Sequence, residues 1–331
     1  MTRTMRAWRV TDHGEPTEVM RLDEVARPEP GAGEVLLRTR AVAVNFPDVL
    51  LARGQYQVRP ELPFVPGIEL CGDVVAVGEG VDDDRLAVGT RVVGSAIGVL
   101  SEYAVLPAAS CRPAPVPLDD AQAAALTIAY QTAWFGLHRR AGLAAGESLL
   151  VHAAAGGVGT AACQLGAAAG ATVIGVVGSE AKADVARAAG AKHVLLRSQD
   201  VAAQVKELTG GVGADVVFDP VGGPSFEAST KCIAFEGRIV VVGFASGEIP
   251  PVRANHALVK NYGVLGLHWA LYQQRDPGLV DAAHDELTRL AEAGAVRPVV
   301  ADVVPFDRAP EAVALLAEGS TTGRLVVHVA D

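Results

Sequence analysis

Aromatic residues make up only 5% of this 331-residue chain, charged residues 20%, and cysteines number four. Each scarcity excludes something. Cys71, Cys111, Cys163 and Cys232 stand far apart with no C-x-x-C pair. That argues against a disulfide scaffold or a structural zinc lobe and for isolated reduced thiols, hence a cytoplasmic protein. Positive charge is in deficit, with 28 Lys+Arg against 38 Asp+Glu and a net charge of −10. Nucleic acid and anionic membranes reward clustered positive charge, so neither is expected as a partner. Arg3, Arg6 and Arg9 are not followed by the apolar core of a signal peptide. One stretch, Ser148 to Gly178, has no charged residue at all. It is long enough to span a bilayer, but it contains His152, Gln164 and glycines at 156, 157, 159, 166, 170, 175 and 178. Strand, turn, helix and strand, all buried, describe it better than a membrane span.

What is abundant is Ala, Val and Leu, within a hydrophobic content of 50%. This composition suits helices packed tightly on sheets. The first third reads as short Val-rich strands broken by Gly and Pro, at residues 5–10, 35–44, 72–77, 90–94 and 103–106. Such spacing suggests a small barrel-like domain. Near Asp119 the pattern changes. Residues 119–142 read as one helix with acids at its start. Strands and helices then alternate: strands at 149–153, 172–177, 193–196, 215–219 and 239–243, helices at 159–169, 180–189, 202–208 and 226–232. This is the signature of a parallel sheet covered on both faces. After Val264 a helix at 281–293, a strand at 299–304, a helix at 309–317 and a strand at 325–329 remain. The layout is therefore α/β, with a β-rich domain of residues 1–125 and 266–331 and a doubly wound parallel-sheet domain at 126–265.

Gly156, Gly157 and Gly159, with Val158 between them, lie between a strand and a helix. A dinucleotide fold needs glycine there for a tight turn, for close approach of backbone to pyrophosphate and for close helix–strand packing. The six-residue fingerprint is imperfect, because its first glycine falls on Ala154. A purely structural glycine turn is the alternative, but the flanking strands and helix all agree with dinucleotide binding. The next strand ends Val176-Val177-Gly178-Ser179. An NAD site usually carries an acid there to accept from the ribose 2′-OH. None is present, while Ser179, Lys182 and Arg197 are able to donate to a 2′-phosphate. NADPH is therefore preferred over NADH. Glu180 runs against this mildly, and Lys182 can also be read as a solvated helix-surface lysine.

AAAGGVG with the following GSEAK, the early VNFPDVLLARGQY, the PGIELCG segment and the terminal GRLVV together resemble the medium-chain dehydrogenase/reductases. Within them the chain resembles the zinc-independent quinone oxidoreductases, the NADPH:quinone reductase or zeta-crystallin-like group, along essentially its whole length. The resemblance implies a split GroES-like catalytic domain and a Rossmann domain with the cofactor in the cleft. It implies that Asn45 and Thr132 flank the nicotinamide. Val221, Gly243, Phe244, Ala245, Leu267, His268 and Trp269 would lie along the cofactor at strand carboxyl ends, and Arg324 matches a basic position near it. It also implies a homodimer paired through the sheet edge near Val264–Leu267, where burying a bare edge is a physical reason to associate. An RNA-binding role known among such relatives is unattractive at this net charge.

Zinc members of the superfamily carry Cys where this chain has Asn45, and a G-H-E triplet where it has Gly67-Ile68-Glu69. A catalytic zinc needs about three protein ligands with soft or imidazole donors. Asp48 and Glu69 alone do not make such a site, so no metal is expected. Without a metal, alcohol oxidation loses its usual means of stabilising an alkoxide. What remains is hydride transfer to an electron-poor acceptor, a quinone or an α,β-unsaturated carbonyl. Phe46, Tyr56, Tyr130, Phe244 and Trp269 are candidate walls for a flat acceptor, and Tyr56 or His268 a candidate proton donor. Cys71 reads as a core residue. Two other readings stay open: an enoyl- or acrylyl-thioester reductase, which needs a basic patch for which Arg253, Lys260 and Arg275 are scattered candidates, and a non-catalytic NADPH-binding sensor or structural protein.

Overall fold

A computed structural model describes residues 3–330; Met1, Thr2 and Asp331 of the expected β-rich domain lie outside the described residues. The chain divides into two compact units, Met1–Ile128 with Val300–Asp331, and Ala129–Val299.

In chain order the first unit contains β1 (Thr4–Val10), α1 (Pro16–Val19), β2 (Met20–Ala26), β3 (Glu34–Ala43), α2 (Phe46–Ala52), β4 (Leu70–Val77), β5 (Arg91–Gly94), β6 (Tyr103–Pro107), β7 (Cys111–Pro113) and α3 (Asp120–Ala124). The unit boundary falls within α4 (Thr127–Trp134), which runs into a π-helical turn at Phe135–Arg140. The second unit continues with β8 (Ser148–Val151), α5 (Gly157–Ala168), β9 (Thr172–Val177), α6 (Ala183–Ala188), β10 (His193–Leu196), α7 (Val201–Leu208), β11 (Ala214–Asp219), α8 (Gly223–Cys232), β12 (Ile233–Val241), α9 (Ala254–Lys260), β13 (Gly263–Gly266), α10 (Ala270–Arg275) and α11 (Pro277–Glu292). The chain returns to the first unit with β14 (Val300–Pro305), α12 (Ala309–Ala317) and β15 (Arg324–His328).

The first unit is built on a seven-stranded sheet in the order β14-β15-β3-β4-β5-β7, with β6 added to β3, beside a two-stranded β1-β2 sheet. β3 is central: it pairs antiparallel with β4, β6 and β15, and its Val35, Leu37 and Val42 sit in the core with Leu70, Val92 and Leu106. Edge strand β2 is half polar, with Leu22 and Val25 alternating against Arg21, Asp23 and Glu24, so its periodicity is weak in the sequence. An ion cluster ties α3 to the sheet. Asp120 accepts from Arg40 at 3.0 Å and from Arg91 at 2.9 Å, while Arg40 also bonds Asp73 at 2.8 Å.

The second unit holds a six-stranded parallel sheet in the order β10-β9-β8-β11-β12-β13. Leu149, Leu150, Val151, Val216, Val217 and Phe218 are all buried, as strands covered on both faces require. The reversal of strand order falls between β8 and β11, and ligands bind outside the carboxyl ends of strands at such a switch point.

Two differences from the sequence reading have clear causes. The stretch 119–142 is not one helix: Asp119 caps α3 as expected, but α3 ends at Ala124 and the π turn follows α4. At Gly136 a Cβ would lie 2.9 Å from the Phe218 ring, so this glycine lets the widened turn approach the sheet. The second domain crossing lies at Val300, not near 266. Trp269 donates to Gln131 Oε1 at 3.0 Å, the Tyr272 and Phe135 rings are 4.2 Å apart, and Gln164 bonds both the N–H and the C=O of Arg297. Those contacts hold residues 269–297 to the parallel-sheet unit.

Gly72 marks the closest approach within the first sheet, since a Cβ there would meet Arg38 O at 2.5 Å. Gly72→Ala is expected to destabilise by about 1–3 kcal/mol through overpacking. A urea-unfolding midpoint equal to that of the parent would contradict this account of the β3–β4 contact.

Candidate active site

In the second unit the turn between β8 and α5 is held by close contacts. Ala153 has φ 50°, and a Cβ on Gly159 would stand 2.1 Å from Ala153 O. Only glycine fits there. Gly175 on β9 is equally constrained, with a Cβ 2.8 Å from Ala154. Gly156 occupies the cap position of α5 and offers no side chain to cover the first-turn N–H groups. The result is an open helix N-terminus at the switch point, suited to a phosphate.

The strand ends beside it gather several expected residues. Arg197 N–H donates to Val177 O at 2.8 Å, and the Arg197 guanidinium comes within 3.8 Å of the Cβ position of Gly178. Arg197 makes no ion pair among the described residues. Ser179 follows at the N-cap position of a one-turn helix at 180–182, whose last residue is Lys182. Asp219, at the end of β11, accepts from Val221 N–H at 2.8 Å and Gly222 N–H at 3.0 Å, which shapes the next turn. Ala245 and Ser246 N–H then donate to Pro220 and Val221 carbonyls, so Val221, Gly243, Phe244 and Ala245 form one local group. Gly243 lies past the end of β12, which stops at Val241.

A cavity of about 280 Å³ opens here, lined by His152, Val176, Arg197, Gln199 and Ser225 among others. His152 is buried, with its Nε2 2.8 Å from Ser229 Oγ. Burial holds its pKa down, opposed by nearby Asp219. In sequence His152 counts only against a membrane span, as the one histidine of the uncharged run; its place in this cavity needs the fold.

Other expected residues are placed differently. Tyr130 and Trp269 are buried and hydrogen-bonded, to Gln164 at 2.9 Å and Gln131 at 3.0 Å. Thr132 is buried one residue beyond Gln131, Leu267 is half-buried and His268 exposed. Phe244 remains 39% exposed.

In the first unit Asn45 opens α2 and stands in a buried polar cluster. Its Nδ2 donates to Ala43 O at 3.1 Å and to Glu69 Oε1 at 2.9 Å. Glu69 is fully buried and also accepts from Ile128 N–H at 2.8 Å and from the Arg324 guanidinium. Burial raises the Glu69 pKa and outweighs the opposing pull of Arg324, the Ile128 N–H and Asn45. Arg324 is therefore paired with Glu69 inside this unit. Asp48 accepts from Asn45 N–H at 2.8 Å, and burial raises its pKa to about 7. Half-buried Tyr56 lies near it, its pKa raised by burial and by the Asp48 charge. Phe46 is 41% exposed.

Residues 31–116 match the alcohol dehydrogenase GroES-like domain, and residues 157–285 match the zinc-binding dehydrogenase family. The chain is 37% identical over 330 residues to the quinone oxidoreductase-like protein 2 homolog of Nematostella vectensis, covering 98% of this chain and 89% of that one. The chain belongs to the quinone oxidoreductase-like family of medium-chain dehydrogenase/reductases. The solved structure of Escherichia coli quinone oxidoreductase complexed with NADPH superposes with a TM-score of 0.88 at 31% identity, covering 99% of this chain and all of that one. A mycobacterial protein complexed with NADPH gives a TM-score of 0.90 at 34% identity, covering 98% of this chain and all of that one. This family member is thus an oxidoreductase by descent, with the GroES-like and Rossmann folds expected of it.

One matched family is named for zinc, and the residues here do not fit that ion. Asn45 turns an amide N–H, not a lone pair, toward Glu69, and Ile68 has no donor atom. Among the described residues no group of three His, Cys, Asp or Glu converges to hold a metal. The four cysteines are buried and free, and burial pushes the Cys71 thiol up to about 12, far from a metal-binding thiolate.

Arg324→Met would leave two buried carboxyls without a counter-charge. Removing one partner of a buried pair typically costs about 3–5 kcal/mol. The double variant Arg324→Met/Glu69→Leu is expected to lose clearly less than the sum of the singles, measured by urea unfolding. Additive losses would contradict the coupling.

Proposed function

We propose that this protein is an NADPH-dependent, metal-free oxidoreductase whose acceptor is a quinone or an α,β-unsaturated carbonyl. The observation that carries this reading is the chemistry at Asn45: where a metal-dependent relative needs a ligand, an amide donor is locked to Glu69. Two structural neighbours were solved with NADPH, and relatives of this chain include quinone oxidoreductase-like proteins. When bound, NADPH supplies the hydride.

The chain's own residues take the remaining roles. The open first turn of α5, with Gly156, Gly157, Val158 and Gly159, receives the pyrophosphate. Ser179, Lys182 and Arg197 receive the 2′-phosphate. Gly178 keeps the end of β9 free of a side chain beneath the Arg197 guanidinium. Val221, Gly243, Phe244 and Ala245 supply wall and backbone along the cofactor, and Leu267 and His268 follow at the end of β13. Asn45 and Thr132 orient the nicotinamide end. Phe46 and Tyr56 in the first unit, and Phe244 in the second, are exposed or half-exposed aromatic candidates for contact with a flat acceptor. Tyr56 Oη stays protonated at neutral pH because burial and Asp48 both raise its pKa, so it is able to give a proton to an enolate or hydroquinone anion. Four buried free thiols fit the reducing cytoplasm, and the unpaired edge of β13 is the proposed homodimer contact. No helix among the described residues is long and apolar enough to cross a membrane.

Charge-assisted hydrogen bonds contribute about 1.5–3 kcal/mol each. Lys182→Ala and Arg197→Ala are each expected to weaken NADPH binding about 10- to 150-fold, with little effect on NADH. Equal losses for both nucleotides, by fluorescence titration, would contradict the 2′-phosphate assignment. A panel of a quinone, a simple enone and an enoyl thioester tests the acceptor: thioester-only turnover, or tight NADPH binding without any turnover, would overturn the proposed reaction.

A further inference from the structure

The buried cluster of the first unit has an unbalanced charge count. Two carboxyls, Asp48 and Glu69, are fully enclosed with one guanidinium, Arg324. Three ionised groups would leave one net negative charge in a buried site, which is strongly disfavoured. A proton on one carboxyl removes it. The hydrogen bonds decide which one. Glu69 receives three donors: Arg324, Asn45 Nδ2 and Ile128 N–H. Asp48 receives the Asn45 N–H on Oδ2, with the Gly67 amide a weaker influence, and its Oδ1 accepts from nothing. Donors favour the charged form, so Glu69 keeps the charge and Asp48 the proton.

The surroundings of Asp48 add no further compensating charge. Tyr56, in the loop after α2, is neutral. α1 and α12 pack on α2, but their Glu18 and Glu311 are exposed, and Glu311 is paired with Arg308. Asp48 also holds the backbone N–H of Asn45, whose side chain holds Glu69. Ionising Asp48 therefore acts directly on Asn45 and on the start of α2.

We propose that Asp48 is the proton-carrying member of this cluster and a positioning residue for Asn45, so that loss of its proton disturbs Asn45 and lowers turnover. The link to turnover rests on the reading that Asn45 serves the reaction; the protonation assignment does not. The sign follows from the shift. The folded-state pKa of about 7 lies above the ordinary carboxylate value, so the folded state binds the proton more tightly than the unfolded one. The associated stability is full below the unfolded pKa of ~3.9 and is lost as pH rises through about 7.

The test compares the parent with Asp48→Asn, which mimics the protonated carboxyl, and Glu69→Gln, which removes the second charge. Infrared difference spectra from pH 6 to pH 8 should show a protonated-carboxyl C=O band vanishing in the parent and absent from D48N. The Tm advantage of D48N over the parent should widen over the same range. In E69Q the band should vanish at least one pH unit lower, because Asp48 then faces Arg324 alone. A band that survives in D48N, a midpoint unmoved in E69Q, or parallel Tm curves would overturn the assignment. The parent's kcat/KM should fall towards tenfold per pH unit above about 7, and the D48N profile should stay flat there. Coincident profiles would overturn the positioning role. The spectral and thermal arms need no acceptor, so failure of the acceptor panel and failure of the proton assignment are separate results.

Discussion

Glu69 carries three hydrogen bonds that join distant parts of the chain: Asn45 at the start of α2, Ile128 in α4 and Arg324 at the start of β15. A fully buried carboxylate is tolerated only when its charge is met this way. The arrangement fixes three consequences together. It closes the first unit by tying its C-terminal return to its central strands. It turns Asn45 into a donor committed to a carboxylate, which leaves the position without metal-binding character. And it takes up Arg324, which then belongs to the interior of this unit.

The second unit depends on a different constraint, the absence of side chains where backbone must approach backbone. Gly159 against Ala153 O and Gly175 against Ala154 leave no room for a Cβ. That closeness brings α5 down on the carboxyl end of β8 with its first turn uncovered. An uncovered helix N-terminus suits a phosphate, and the Arg197 guanidinium stands beside Gly178, where the proposed function seats the 2′-phosphate. The proposed function divides these demands, assigning binding to the glycine geometry and reaction to the polar cluster around Asn45.

Much of this was legible in the sequence because it is local. The β8–α5 loop, the parallel strands and the cap at Asp119 follow from spacing within about ten residues. The missing acid after Val177 is likewise a local observation. What was not legible depends on contacts across the chain. Nothing near Glu69 in sequence announces Ile128 or Arg324. Tyr130 and Trp269 are candidate walls in sequence because a flat acceptor wants apolar surfaces; that both are buried against glutamines is visible only in the fold. The second domain crossing was placed too early because α10 and α11 are held by Gln131, Phe135 and Gln164, far upstream. The break after α3 and the π turn at Phe135–Arg140 left no mark in an Ala-rich pattern.

The proposed hydride transfer proceeds without a metal, because the residues at Asn45 and Ile68 do not fit one. The most direct test is the rate of NADPH oxidation with a quinone acceptor before and after exhaustive chelation, followed by addition of zinc. The account predicts one unchanged rate under all three conditions. Loss of turnover on chelation with recovery on zinc addition would contradict it.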